Sequence, residues 1–361
     1  MGHMFGTILI SVCTLMHLYI FWRAASVPFV DRHVPRKILI GTGVILWAVF
    51  LAGRVIGHGG TGDLAVTLEF LGMNWMGILF LTFIPLFSID LVTLFGFLMP
   101  RLSPSLRGWA LLVGGVFSAI ALFQGLRPPV VEKYEVVLPG LPDTMDGIVL
   151  AALSDMHLGS QLGERWLAAR IAQVNEQQPD IVVLLGDIFE GHGPPDKSLM
   201  ETFRHLSAPL GIWAIPGNHE FHGRGNMALF EAVGFTLLRN GWAEVGPGLI
   251  LAGVDDLTVR RRNGQGGDPM SQALAGRPPG AAILLSHTPG RPRGRRKPAR
   301  VSCYPATPTE GRYGHSTIWF AAGIHYWRAV TKWVGWQLSY AEARAHGDRE
   351  CDSGDPVRSS E

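Results

Sequence analysis

Four short polar segments follow apolar runs, in order, down one stretch of the chain. They are SDMHLG at Ser154–Gly159, GDIFEG at Gly186–Gly191, PGNHE at Pro216–Glu220 and LSHTP at Leu285–Pro289. The runs ahead of them, such as Ile148–Leu153 and Ile181–Leu185, have the length and β-branched content of buried strands. Asp, Asn and His are therefore expected where strands end. There a sheet fixes their positions and loops leave an open side for water and substrate. Between these segments the pattern alternates. Glu164–Asn175, Leu199–Leu206 and Met227–Val233 read as helices, and Ile212–Ile215, Leu249–Val254 and Ala282–Leu285 as strands. Such alternation predicts a layered α/β domain. There is no internal repeat.

The front of the chain is of another character. Charged residues make up only 17% of the 361, with 11 Trp and 18 Phe, and the mean hydropathy is +0.21. The apolar excess lies in Met4–Trp22, Ile38–Gly53, Phe70–Ile89 and Gly108–Leu126. A span needs ~20 apolar residues; the second segment reaches that length with its flank Val55–His58. The competing reading, a signal peptide followed by buried core helices, fits less well, because the first segment has no basic leader and three more follow. Arg23, Arg32, Arg36 and Lys37 sit between the first two spans, and Arg101 and Arg107 between the last two. Arg54, Arg127 and Lys133 mark the other side. Lys/Arg excess marks the cytoplasmic side, so both termini and the domain after them are expected on the outer face. Asp90 is either functional or an interfacial residue just past a span ending near Ile89, and the second reading is preferred.

The net charge of +2 gives no reason to expect nucleic acid as a partner. Cys13, Cys303 and Cys351 have neither metal-binding spacing nor an even framework. The organisation expected is a membrane domain over 1–126, a linker with a first strand at Tyr134–Leu138 over 127–147, the α/β domain over 148–289, and a tail over 290–361.

Asp155 and His157, two apart on one turn, can reach the same metal ion. Asp187 has two carboxylate oxygens and can bridge two cations ~3.5–4 Å apart. Asn218 and His287 suit a second cation, which leaves His219 free as an acid or as a stabiliser of a leaving oxygen. Oxygen and nitrogen donors without thiolate favour Mn, Fe, Zn or Mg. Asp255 and Asp256 read as a turn, and Arg260–Arg262 as an exposed basic loop rather than a guide for anions.

Taken together, DxH, GDxxE, GNHE and the later lone His resemble the calcineurin-like metallophosphoesterases, most closely their membrane-tethered bacterial members; the likeness runs over Tyr134–Pro289. It implies a four-layer α/β/β/α sandwich, here preceded by an α-helical membrane domain of about four transmembrane helices. It also implies two divalent metal ions. Asp155 and His157 would hold the first, Asp187 would bridge, Asn218 and His287 would hold the second, and His219 would be the catalytic acid. Glu190 and Glu220 would lie no closer than behind the ligands. The implied activity is hydrolysis of phosphodiesters, or monoesters, by a metal-bridged water. The bilayer is the expected partner and a lipid-linked phosphate the suggested substrate. One alternative is an impaired membrane protein whose phosphoesterase-like domain only binds. Another is a transporter or sensor, against which stands the scarcity of internal charge pairs in the spans.

The chain departs from that family after Pro289. The GHxH motif, which completes both metals in the resembling proteins, is missing, and 290–316 has no helical or strand period. Read one base out of frame, Cys303–Ser316 permits LSGHTHGGQIWPF, which contains the missing motif. A single-base deletion near the Pro289 codon is therefore expected. The tail would then lack the last strands of the sandwich and fold poorly. On that reading His315, His325 and His346 are not ligands, Arg291–Arg300 is not a nucleic-acid patch, and Trp319–Trp336 is not a fifth span.

Overall fold

The computed structural model describes residues 2–58, 60, 62–125, 127–138, 140–190, 197–221 and 227–288, and the backbone of four later strands. The chain divides into two units, Met1–Arg127 and Pro128–Glu361.

In the first unit the apolar runs wind into helices, the conformation that satisfies every backbone group within one segment where no water is available. They are α1 (Gly2–Ala24), the short α2 (Pro28–His33), α3 (Arg36–Ala52), α4 (Asp63–Val92) and α5 (Ser103–Gly125). A π-helical turn at Gly53–Gly57 extends α3, so the second span reaches full length. Among the described residues, four helices are thus long and apolar enough to cross a membrane. At 30 residues, α4 is ~45 Å long, beyond the ~30 Å hydrocarbon thickness. Glycines allow close packing between these helices: Gly53 faces Gly72 of α4, and a side chain on Gly114 of α5 would meet the Thr82 backbone. Large apolar side chains from Met4 to Phe123 point outward, among them Leu15 at 67% and Trp109 at 66% exposure. A surface of this kind suits lipid rather than water.

Asp90 is fully buried in the last turns of α4. Its carboxylate pairs with Arg23 Nε at 2.5 Å and Arg107 Nε at 2.7 Å, and it accepts a hydrogen bond from the Tyr19 hydroxyl at 2.5 Å. The expected scarcity of charge pairs in the spans is therefore corrected. Hydropathy along the chain cannot see partners that arrive from α1 and α5.

The second unit holds two sheets. The first has seven strands in the order β12-β1-β11-β2-β3-β4-β5, the second five in the order β10-β9-β8-β7-β6. The strands are β1 (Val131–Val137), β2 (Ile148–Leu153), β3 (Ile181–Leu184), β4 (Ile212–Ala214), β5 (Thr236–Leu237), β6 (Gly241–Gly246), β7 (Leu249–Gly253), β8 (Ala281–Ser286), β9 (Thr317–Ala322), β10 (His325–Val330), β11 (Leu338–Arg344) and β12 (Val357–Ser359). Successive pairs from β2 to β5 are parallel, as is β7 with β8.

Alternate side chains along each strand build different layers. Leu150, Ala152, Ile181 and Val183 meet Leu249, Leu251 and Ile283 between the sheets. Ala151, Leu153, Val182 and Leu184 instead lie under α6 (Glu164–Asn175), α7 (Lys197–Phe203) and α8 (Ala228–Ala232), against Leu167, Ile171, Phe203 and Phe230. Outside the second sheet, Ala252 and Leu284 pack on Leu257 of α9 (Leu257–Arg262) and on Met270 and Ala273 of α10 (Pro269–Ala273). The result is the expected four-layer α/β/β/α order.

The tail differs from expectation. β9 and β10 form a hairpin beside β8, and β11 lies between β1 and β2. Runs such as TIWFAA, β-branched and aromatic, suit strands even without an alternating polar pattern. The stretch Cys303–Ser316, and with it the question of GHxH, falls outside the described residues.

Candidate metal centre

The loop after β2 carries Asp155 and His157, the loop after β3 Asp187 and Glu190, the loop after β4 Asn218, His219 and Glu220, and β8 runs directly into His287. These are carboxyl ends of neighbouring strands, where an α/β sheet leaves its crevice.

Three of these residues are held in the left-handed region that non-glycine residues avoid: Asp155 (φ 53°), His157 (φ 44°) and Asp187 (φ 52°). Each such residue stores ~1–3 kcal/mol and persists only where its surroundings over-determine it. Here the loops are laced together. Asp155 N–H donates to the Gly186 carbonyl at 3.1 Å, and His157 N–H to the Asp187 carbonyl at 3.0 Å. Glu220 supplies the other tie. Its buried carboxylate accepts from the N–H groups of Gly217 (2.8 Å), Asp187 (2.9 Å), Ile188 (2.8 Å) and Phe189 (3.3 Å). Burial, then the nearby Asp187 charge, raise the Glu220 pKa against the pull of those donors. Side chains on Gly186 or Gly217 would overlap the facing loop, so the two loops approach this closely only because both positions are glycine.

Asp187 sits at the centre. Its Oδ2 lies 3.4 Å from His287 Nε2, 3.9 Å from His157 Nε2 and 4.0 Å from His219 Nε2, while its Oδ1 accepts from the His219 N–H at 2.9 Å. Donor atoms of Asp155, His157 and Asp187 lie within 4.8 Å of one another, and so do those of His157, Glu190 and His219. His287 donates its Nδ1–H to the Leu185 carbonyl at 2.9 Å, and His219 its Nδ1–H to the Glu190 carbonyl at 2.9 Å. A carbonyl only accepts, so each bond fixes the Nδ1–H and turns Nε2 toward Asp187. A backbone acceptor behind the ring is how ligating histidines are commonly oriented. Asn218, half-buried, directly precedes His219 in the same loop.

The electrostatics agree with a site built for positive charge. Burial by itself would raise the Asp187 pKa, yet the hydrogen bond and charge of His287, with those of His219, bring it down to about 2. Burial opposes charge on His287, but its bond to Asp187 and the Asp187 and Asp155 charges lift its pKa to about 9. A carboxylate held ionised among imidazole nitrogens is a donor set that fits divalent cations, and the metallophosphoesterases generally use such ions.

Similarity to known proteins points the same way. The family described as calcineurin-like phosphoesterase matches residues 148–307. This chain carries a calcineurin-like metallophosphoesterase domain. It is 33% identical over 192 residues to a transmembrane protein with metallophosphoesterase domain from Danio rerio, covering 50% of this chain and 44% of that protein. It is 30% identical over 195 residues to the protein of the same description from Bos taurus, again 50% and 44%. With the uncharacterized metallophosphoesterase YkuE of Bacillus subtilis it shares 30% over 200 residues, 51% of this chain and 66% of the relative. The matches thus span less than half the length of the two transmembrane relatives. Four candidate spans and relatives named as transmembrane mark a membrane protein.

Asp155, His157, His219 and His287 meet around Asp187, and two further carboxylates stand with them. Glu220 ties the loops together, and Glu190 lies beside His157 and His219. The signal for Glu220 was an acid directly after the His of PGNHE, in a 3-10 turn at His219–Phe221 that folds it back under Gly186. Asp255 and Asp256 form the link between β7 and α9, with no turn there. Asp255 takes a two-point contact from Arg239 at 2.9 and 2.8 Å, and Asp256 caps α9 through the N–H groups of Thr258 and Val259. Arg260–Arg262 end that helix rather than lie in a loop, where basic groups face its negative end.

Proposed function

We propose that this membrane protein is a metal-dependent phosphoesterase with a dinuclear site. Asp155 and His157 would hold one cation and Asn218 and His287 the other, with Asp187 shared between them. The observation that carries the reading is the convergence of the His157, His219 and His287 Nε2 atoms within 4.0 Å of one Asp187 oxygen. Divalent ions bound there, Mn, Fe, Zn or Mg, supply Lewis-acid charge and lower the pKa of a bound water. Asp187, ionised well below neutrality, would contribute one of the negative charges that two cations require. His219, its Nδ1–H committed to the Glu190 carbonyl, would deliver a proton from Nε2 to a leaving oxygen in its imidazolium form and return to the neutral ring. Phosphodiesters, with a lipid-linked phosphate as the natural choice beside a bilayer, are the substrates this reading favours, with the domain on the outer face. Full activity in this reading requires the GHxH histidines of the shifted frame.

The test is Mn-dependent hydrolysis of an aryl phosphodiester by the chain as it stands and by one with the frame restored after Pro289. Activity in the restored chain that Asp187→Ala abolishes is the expected result. Equal activity in both would remove the tail proposal and leave the enzyme intact. No metal binding and no activity in either would overturn the enzyme. Accessibility of an introduced cysteine in the second unit to an impermeant maleimide checks the face.

A further inference from the structure

We propose that the first unit contains a binding groove for one acyl chain of an anionic phospholipid, between α1 and α3, with its phosphate at Arg36. The inference rests on the apolar helices lying in a bilayer and is independent of the phosphoesterase chemistry.

The groove encloses about 690 Å³ and is walled by Leu18, Trp22, Leu39, Ile40 and Val44, with Arg36 at one end. The two helices run antiparallel here. Trp47 near the end of α3 donates its Nε1–H to Thr14 Oγ1 of α1 at 3.1 Å, while Gly43 lies against the Phe21 ring. The distance from Ala25 to Thr14, or from Arg36 to Trp47, is 11 residues along a helix, ~16 Å of groove running inward from the helix ends.

Its interior offers a ligand almost nothing polar. The Thr14 hydroxyl is taken by Trp47, and His17 Nδ1 accepts from Trp75 Nε1 at 3.2 Å. The indole can only donate, so the neutral His17 ring carries its proton on Nε2. Apolar walls with one cationic end match an alkyl chain that carries an anionic head. Arg36 can take that head. Its side chain is 83% exposed, and its ion pair with Asp31 is loose at 3.7 Å between exposed partners. Arg32 and Lys37 flank it in sequence and add local positive charge. Trp22 lines the groove near the same end, where amphipathic indoles settle at a membrane boundary.

The test is native mass spectrometry of the full chain, released from detergent, with phosphatidylglycerol or phosphatidylcholine of identical acyl chains. The wild type is expected to retain one phosphatidylglycerol about fivefold more tightly than phosphatidylcholine, the factor that one basic residue near a lipid phosphate supplies. Arg36→Gln should bring the two lipids level, Arg36→Lys should keep the preference, and Val44→Trp should weaken both. Equal retention of both lipids by the wild type would overturn the proposal. So would an undiminished preference in Arg36→Gln, which lies on an exposed side chain and leaves the helix packing intact.

Discussion

Glu220 offers the sharpest quantitative check on how the metal loops are held. In Glu220→Ala, four buried N–H donors, at 2.8, 2.8, 2.9 and 3.3 Å from the carboxylate, lose their acceptor. A buried donor left unmet costs ~1–3 kcal/mol. The longest bond is weak, and the half-open loop can admit a water to another. Two or three donors at the lower end of that range give about 3 kcal/mol. Glu220→Gln keeps one oxygen and so two of the bonds, but turns an amide N–H toward the other two donors. It should lose about half as much. For a unit of this size each kcal/mol moves Tm by ~2–4 °C, so the alanine variant should melt roughly 6–12 °C lower and the glutamine variant roughly 3–6 °C lower. The assay is thermal unfolding of the unit from Pro128 onward with chelator present, so that lost metal does not add to the change. An alanine variant within about 2 °C of wild type, or a glutamine variant worse than alanine, would refute the view of Glu220 as the tie between loops.

Three further outcomes follow from the geometry. Gly217→Ala puts a methyl group into Asp187 Oδ1, so bound metal, counted by inductively coupled plasma mass spectrometry, should fall with activity, by ~10²-fold for a misplaced ligand. Asp90→Leu leaves Arg23 and Arg107 buried without their counter-charge. It should destabilise the first unit by ~3–5 kcal/mol, and Asp90→Leu combined with Arg23→Leu and Arg107→Met should melt higher in detergent than Asp90→Leu alone. The third concerns pH in the metal-stripped domain. His287, raised from 6.5 to about 9, contributes stability that is complete below pH 6.5 and lost as pH rises through 9. Asp187, lowered from 3.8 to about 2, contributes above pH 3.8 and loses it as pH falls through 2. With chelator, Tm should therefore decline from about pH 6.5 to about pH 10, and a flat profile there would contradict the pair.

How much could be read from the sequence depended on the range of the interactions involved. Ile148–Leu153 and Glu164–Asn175 were legible to the residue, because strand burial and helical spacing are written in consecutive letters. The polar residues at strand ends were legible as a set, since Asp155, His157, Asp187, His219 and His287 each follow or flank an apolar run. Strand β6 was not, because GWAEVG is bracketed by glycines and its burial alternates weakly. Helices α9 and α10 are too short to show a period, though Asp256 and Asp268 cap them. The ion pairs of Asp90 were hidden because Arg23 lies far away in sequence. The partners of Glu220 are backbone N–H groups, which no letter reveals.

The left-handed backbone at Asp155, His157 and Asp187 has an evolutionary corollary. Glycine would occupy each of these φ values without strain, and asparagine more readily than most residues. Replacements that delete a proposed ligand are therefore the ones that relax the loops: selection for sturdiness alone would erode this site first. A phosphoesterase domain that loses its chemistry can gain melting temperature at the same positions. In a lineage that keeps only the fold, Gly and Asn should accumulate where this chain holds Asp and His.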